Sequence, residues 1–287
     1  MRQFLSRIKI KAQHFQQLSK RKVEKFVIWA SCHDARRHLR AFGPYSILID
    51  TSVLGNSVTH ETAWVSTGTK KWGDLPVDTG YMARIPIHSP ENDSRIYNEI
   101  RYLIGIAKLS REGHLKPFTS AELIAEQDRQ PQGRFRGYSL FDLSLWDGIK
   151  VPSVDGRVSD WRDSDGSRQR VRILQSNSEI FKSIKSYFPG KSSQDTFHLS
   201  TAIERNMYFY LTMDFKFIEQ YEQARRRTGF PEHHCQAMLP SRLAQTLGIK
   251  PIHSFIITHQ GSSWFAREDL HMPEQRRYKR SRQSRSE

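Results

Sequence analysis

The stretch SILIDTSVLGNS, residues 46–57, opens with an apolar run, Ile47, Leu48 and Ile49, that stops on Asp50 and is followed by Thr51 and Ser52. A short, unbroken apolar run reads as a strand covered on both faces, the situation of a strand inside a parallel sheet. MYFYLTMD, residues 207–214, repeats the pattern and ends on Asp214. Two such strands lying side by side in parallel would deliver both carboxylates to one edge of the sheet.

The segments around these runs supply the helices that a parallel sheet needs. SRIYNEIRYLIGIAKLSREG (94–113) places Ile96, Ile100, Leu103, Ile104 and Ala107 on one face, and Gly113 is suited to stop the helix. HLKPF (114–118) reads as a short extended piece, and Thr119 or Ser120 can cap the helix AELIAEQ that follows. Further helices are expected near 177–187, over 192–206, and in FKFIEQYEQARRR after Asp214. FGPY (42–45) separates a helical start from the first strand. Residues 55–90 resist assignment. The polar, turn-rich region 128–175 reads as an insertion with a hairpin around Asp155–Arg157. This alternation of strand and helix predicts an α/β fold, three layers α/β/α with a central, mostly parallel sheet.

In open α/β sheets ligands bind at the carboxyl ends of the strands. Asp195 opens the helix upstream of the second strand and can face the same edge as Asp50 and Asp214. Glu122 and Glu126 lie one helical turn apart and share a face. Converging carboxylates repel and raise one another's pKa values, and a divalent cation relieves the repulsion. An all-oxygen donor set suits Mg²⁺ or Mn²⁺. Such an ion can activate a water and stabilise the leaving oxygen in phosphodiester cleavage. The plainer alternative is that each acid is a helix N-cap.

ILIDTSVLGNS, TSAELIAEQ, QDTFHLSTAIERNMYFYLTMDFKFI and AMLPSRLAQTLGI together resemble the PIN domain, the fold of many toxin-type and RNA-processing ribonucleases. Asp50 with Thr51 matches the family's acid-terminated first strand, and Ser120 to Glu126 its serine–glutamate motif. Asp195 with His198 and Ala202 matches the helix-opening acid, and Thr212 with Asp214 the second acid-terminated strand. The resemblance implies a catalytic and metal-holding set of Asp50, Glu126, Asp195 and Asp214, supported by Thr51, Thr212 and Glu122. It implies hydrolysis of RNA to 5′-phosphate and 3′-hydroxyl ends with Mg²⁺ or Mn²⁺. By the same resemblance an antitoxin-like protein partner and a homodimer are expected. A DNA nuclease and a non-catalytic nucleic-acid-binding module of the same fold stay open as alternatives. The long spacing from Asp50 to Glu126 and the insertion depart from the small bacterial toxins.

The expected organisation is a basic helical arm (1–43), a nuclease domain (44–250) and a C-terminal extension with a basic tail (251–287). The chain of 287 residues carries a formal charge of +15, concentrated at its two ends. Basic arms fit a phosphate-rich partner, and Arg276, Arg277, Lys279 and Arg280 are the expected nucleic-acid contacts. The acid-free start before Glu24 is also the composition of a transit peptide. The aromatics of GRFRGYSLF (133–141) read as anchors of the insertion or as stacking platforms for bases. No apolar run reaches the ~20 residues that cross a bilayer. Two cysteines, Cys32 and Cys235, make no disulfide framework, so a cytoplasmic location is expected. Neither Cys32–His33 nor His233–His234–Cys235 has the spaced ligand pairs of a zinc finger.

Overall fold

A computed structural model describes residues 22–72, 74–89, 91, 94–129, 143–158 and 166–253. Two helices, α1 (22–31) and α2 (His33–Phe42), lead into β1 (Tyr45–Ile49) and the short α3 (Thr51–Asn56). A long hairpin, β2 (Val58–Trp72) and β3 (Leu75–Pro86), precedes α4 (Ser94–Arg111), β4 (Leu115–Phe118) and α5 (Ala121–Arg129). After the two-residue β5 (Leu143–Ser144) come α6 (Ser167–Leu174), α7 (Glu179–Lys185) and α8 (Ser193–Glu204). The described chain ends with β6 (Phe209–Leu211), α9 (Phe215–Arg225), β7 (Gln236–Met238) and α10 (Pro240–Leu247).

The central sheet has the order β4-β1-β6-β7, and all neighbours run in parallel. Residues alternate across it. Ile47, Ile49, Phe209 and Leu211 join a core built from α1, α2, α4 and α10, whereas Leu48 and Tyr210 join one built from α5, α7, α8 and α9. The fold is therefore the expected α/β arrangement, a parallel four-stranded sheet with helices on both faces. The chain leaves β1 for β4 on one side and later returns to β6 on the other. The strand order thus switches at β1, and the crevice of such a sheet lies at that strand's carboxyl end.

Several local readings change. Residues 22–42, expected within a basic arm, place Ile28, Cys32, Ala35 and Leu39 in the core. There α4 approaches so closely that a Cβ on Gly105 would stand 2.4 Å from Ile249 Cγ2 and 3.3 Å from Cys32 Sγ. Arg36 binds Glu112 through two hydrogen bonds of 2.8 and 3.0 Å, which ties α2 to the end of α4. The unassigned stretch 55–90 is mostly the β2–β3 hairpin, which with β5 forms a separate antiparallel sheet.

The hairpin expected around Asp155–Arg157 is not formed among the described residues. Instead Ser153 bridges in parallel to Thr119, and Asp155 Oδ1 accepts the Ala121 amide at 2.6 Å. Asp155 and the Ser120 hydroxyl, which accepts the Leu123 amide at 3.3 Å, together satisfy the start of α5, so the segment serves as a cap rather than a ribbon. Cys32 and Cys235 are buried, free, and in cores on opposite faces of the sheet, so they cannot share a zinc ion. No described helix is long and apolar enough to cross a membrane. GRFRGYSLF and the 276–287 tail lie outside the described residues.

Candidate active site

β1 and β6 pair in register, Leu48 with Tyr210 and Ile49 with Leu211, and the Asp50 amide donates to Leu211 O at 2.9 Å. Both strands therefore end level, and both terminal acids turn at once into helices. Asp50 is the N-cap of α3, its carboxylate accepting the Ser52 amide at 3.3 Å. Asp214 is the N-cap of α9, accepting the Phe217 amide at 2.9 Å through Oδ1. The capping reading and the site reading hold together, because a cap fixes where the carboxylate points.

A hydroxyl pair locks the two strand ends. Thr212 Oγ1 donates to Asp50 Oδ2 at 2.8 Å, and Ser52 Oγ donates to the same oxygen. Thr212 Oγ1 also accepts the Asp214 amide at 3.0 Å, and Ser52 Oγ accepts the Met213 amide at 2.9 Å. One threonine thus touches both acidic residues. Thr51 faces the other way and donates to Glu126 Oε2 at 3.1 Å.

The two glutamates of α5 have separate partners. Glu122 is buried and accepts Arg172 Nε at 2.9 Å and Nη2 at 3.0 Å, from α6. Glu126 turns toward α8: its Oε1 meets His198 Nε2 at 2.7 Å, Gln169 Nε2 at 3.2 Å, and Gln194. With Thr51 on Oε2, both of its oxygens are engaged. Gln169 and Gln194 carry no charge pattern that would single them out in sequence. Gln169 belongs to α6, inside the region read as an insertion, so that region helps to build the site.

Asp195, in the first turn of α8, completes the group. Burial pushes its carboxyl up, and the charges of Asp50, Asp214 and Glu126 add to this against the relief from His198, to about 7. Among the described residues no group is hydrogen-bonded to it. His198 is 1% exposed; burial alone would keep it neutral, but Glu126, with Asp50 and Asp195, raises it to about 9. Burial pushes the Glu126 carboxyl up, but the His198 imidazolium and the bonds from His198, Gln194 and Thr51 outweigh it and hold Glu126 below the usual range. Tyr210 lies beneath the acids. Burial, the charges of Asp50, Asp195 and Glu126, and the approach of its hydroxyl to the Asp50 carboxylate raise its pKa well above normal.

Asp50 and Asp214 cap helices at the carboxyl ends of β1 and β6, and Asp195 feels the charges of both and of Glu126, whereas Glu122 is paired with Arg172. Arg276, Arg277, Lys279 and Arg280 lie outside the described residues. Among the described residues no three His, Cys, Asp or Glu side chains are already gathered as a metal-ligand group. The chemistry of the donors nevertheless fits a hard divalent cation: they are carboxylate oxygens, they repel one another, and Asp195 lacks a donor of its own. What fold and site define is an α/β protein with an acid-lined sheet edge. No family model, curated protein or solved structure matches the chain.

Proposed function

We propose that the chain is a PIN-like, divalent-metal-dependent endoribonuclease. The observation that carries this reading is Asp195, which is within electrostatic reach of Asp50, Asp214 and Glu126 beside the carboxyl ends of β1 and β6; burial first, and then these charges, raise its carboxyl to about 7. Asp50, Asp195 and Asp214 would hold Mg²⁺ or Mn²⁺. Bound there, the ion would supply activation of water and stabilisation of the leaving oxygen. Ser52 and Thr212 fix the Asp50 carboxylate, and Thr212 also fixes the backbone of Asp214. Glu126, with both oxygens engaged, acts by positioning: it anchors Thr51 and holds the cationic His198 under the acids. His198 offsets part of the negative charge that a phosphodiester must approach.

A second reading, a nucleic-acid-binding module without catalysis, is favoured by one observation: the described acids are not yet gathered into a ligand set. The deciding experiment is cleavage of labelled single-stranded RNA by the full chain with Mn²⁺ or Mg²⁺, beside EDTA and Asp195→Asn controls and a matched DNA strand. Metal-dependent cleavage to 5′-phosphate ends, lost in both controls, is expected. RNA bound but never cut by well-folded protein selects the second reading; preferential cutting of the DNA strand makes the protein a deoxyribonuclease.

A further inference from the structure

The sheet edge opposite the acids carries a second cluster of side chains. Because β1, β6 and β7 run in parallel, their amino ends open on one side. Five aromatic rings form an unbroken series there. Phe42, in the last turn of α2, lies 4.8 Å between centroids from His38. His38 is 6.1 Å from Tyr45, its Nε2 3.4 Å from the tyrosine hydroxyl. Tyr45 is 4.7 Å from Tyr208, and Tyr208 is 6.3 Å from His234. The series draws on α2, β1 and the turns before β6 and β7, so no sequence motif announces it. Phe42 is 67% exposed and Tyr208 46%, and His234 is exposed as well.

Cations flank these rings. Arg37 and Arg40 project from the exposed side of α2, and Arg205 stands three residues before Tyr208. Among the described residues none of the three side chains has an ion-pair or hydrogen-bond partner. Two nearby acids are engaged, Asp34 with Lys250 at 3.7 Å and Glu204 with the Ser178 hydroxyl. Glu232 is exposed near His234, so the positive character is greatest at the Phe42 end.

Exposed rings beside unpaired guanidinium groups suit a ligand with flat faces and negative charge. Bases stack on aromatic rings whatever their identity, and phosphates are neutralised by arginine. A second copy meeting this edge about a two-fold axis would set the arginines against themselves. The chain's own start is a poor cover, since residues 1–21 hold Arg2, Arg7, Lys9, Lys11, Lys20 and Arg21 and no acid. We infer that the edge formed by Phe42, His38, Tyr45, Tyr208 and His234 binds single-stranded nucleic acid by base stacking. It is separated from the acids by the length of β1, roughly 16 Å at the usual rise per residue, and does not rest on their chemistry.

The test is fluorescence anisotropy of a labelled single-stranded RNA on the full chain. EDTA prevents cleavage, and about 0.2 M salt weakens purely electrostatic contacts of the basic ends. Phe42→Ala/Tyr208→Ala, at two exposed positions that leave the cores untouched, is expected to bind about tenfold or more weakly. Tyr208→Phe, which keeps the ring, is expected to bind like wild type. An abasic strand of equal length is expected to bind wild type as weakly as the RNA binds the double variant. Equal affinity of wild type and double variant overturns the inference. So does equal affinity of abasic and base-bearing strands, absence of wild-type binding, or a double variant that changes from dimer to monomer in sedimentation.

Discussion

His198 Nε2 lies 2.7 Å from Glu126 Oε1, inside the core beneath the acid edge, so an ion pair links α8 to α5 below the site. A histidine whose folded pKa is raised adds stability that is fully present below its unfolded value of 6.5 and is lost as pH rises through about 9. The pair is expected to contribute at most about 3 kcal/mol at neutral pH, fading over that window. Urea unfolding between pH 5 and 10 should show an alkaline decline that is flattened in His198→Gln. Identical slopes in the two proteins would sink the assignment. Glu126→Gln should bring the His198 titration, followed by NMR, down from about 9.

The split between the α5 glutamates gives a sharper test of the site. Glu122 is bound to Arg172, outside the acid group, whereas Glu126 anchors Thr51 and His198. Under the proposed function Glu126→Gln is expected to lower cleavage by about 10–100-fold, the usual cost of losing a partner that orients a metal site. Glu122→Gln is expected to lower stability while the folded protein keeps its activity. Single-turnover cleavage alongside unfolding curves would show it, and the reverse ranking would relocate the site.

Much of this was legible because the decisive strands are short, apolar throughout and closed by an acid. Ile47–Asp50 and Phe209–Asp214 stand out against their surroundings, and parallel pairing follows from the helices between them. The spacing of Glu122 and Glu126 placed both on one face of α5, and the resemblance favoured Glu126; the pairing of Glu122 with Arg172 on a separate helix gives the physical reason. Gln169 and Gln194 gave no sign, since their role depends entirely on tertiary placement. The β2–β3 hairpin did leave a trace: β-branched and aromatic residues flank Gly73–Asp74, two residues between the paired Trp72 and Leu75. The aromatic edge was hidden because its rings come from segments brought together only by the sheet.

Thr212 touches Asp50 through its hydroxyl and receives the Asp214 amide, so a near-isosteric valine removes both bonds without changing the packing volume. Thr212→Val is expected to lose about 1–2 kcal/mol, as a buried polar pairing is broken. In the proposed reaction it should slow cleavage well beyond that, whereas Thr212→Ser keeps the hydroxyl and should keep both properties. Equal rates for the valine and serine variants would remove the hydroxyl from the account.

The α4 contact is a packing prediction independent of function. Gly105→Ala would place its methyl 2.4 Å from Ile249 Cγ2, which no side-chain shift within α4 can avoid. A loss of about 1–3 kcal/mol is expected from overpacking. Ile249→Ala clears that space, so the double variant should be more stable than the sum of the single losses by on the order of 1 kcal/mol. Strict additivity in urea unfolding would show that Gly105 and Ile249 do not meet.

Asp195 has the opposite linkage from His198. Its folded pKa is raised from 3.8 to about 7, so ionising it costs stability, and the cost grows as pH rises between those values. Without divalent metal, Asp195→Asn is therefore expected to be more stable than wild type at pH 8, by about 1–3 kcal/mol, with the gap closing toward pH 4. A bound cation would offset the same buried charge by another route. Mn²⁺ or Mg²⁺ should then raise the wild-type melting temperature at pH 8 and raise that of the variant much less. If the variant is the less stable protein at pH 8 without metal, the Asp195 charge carries no penalty of burial and repulsion, and the physical case for a cation at this edge fails with it.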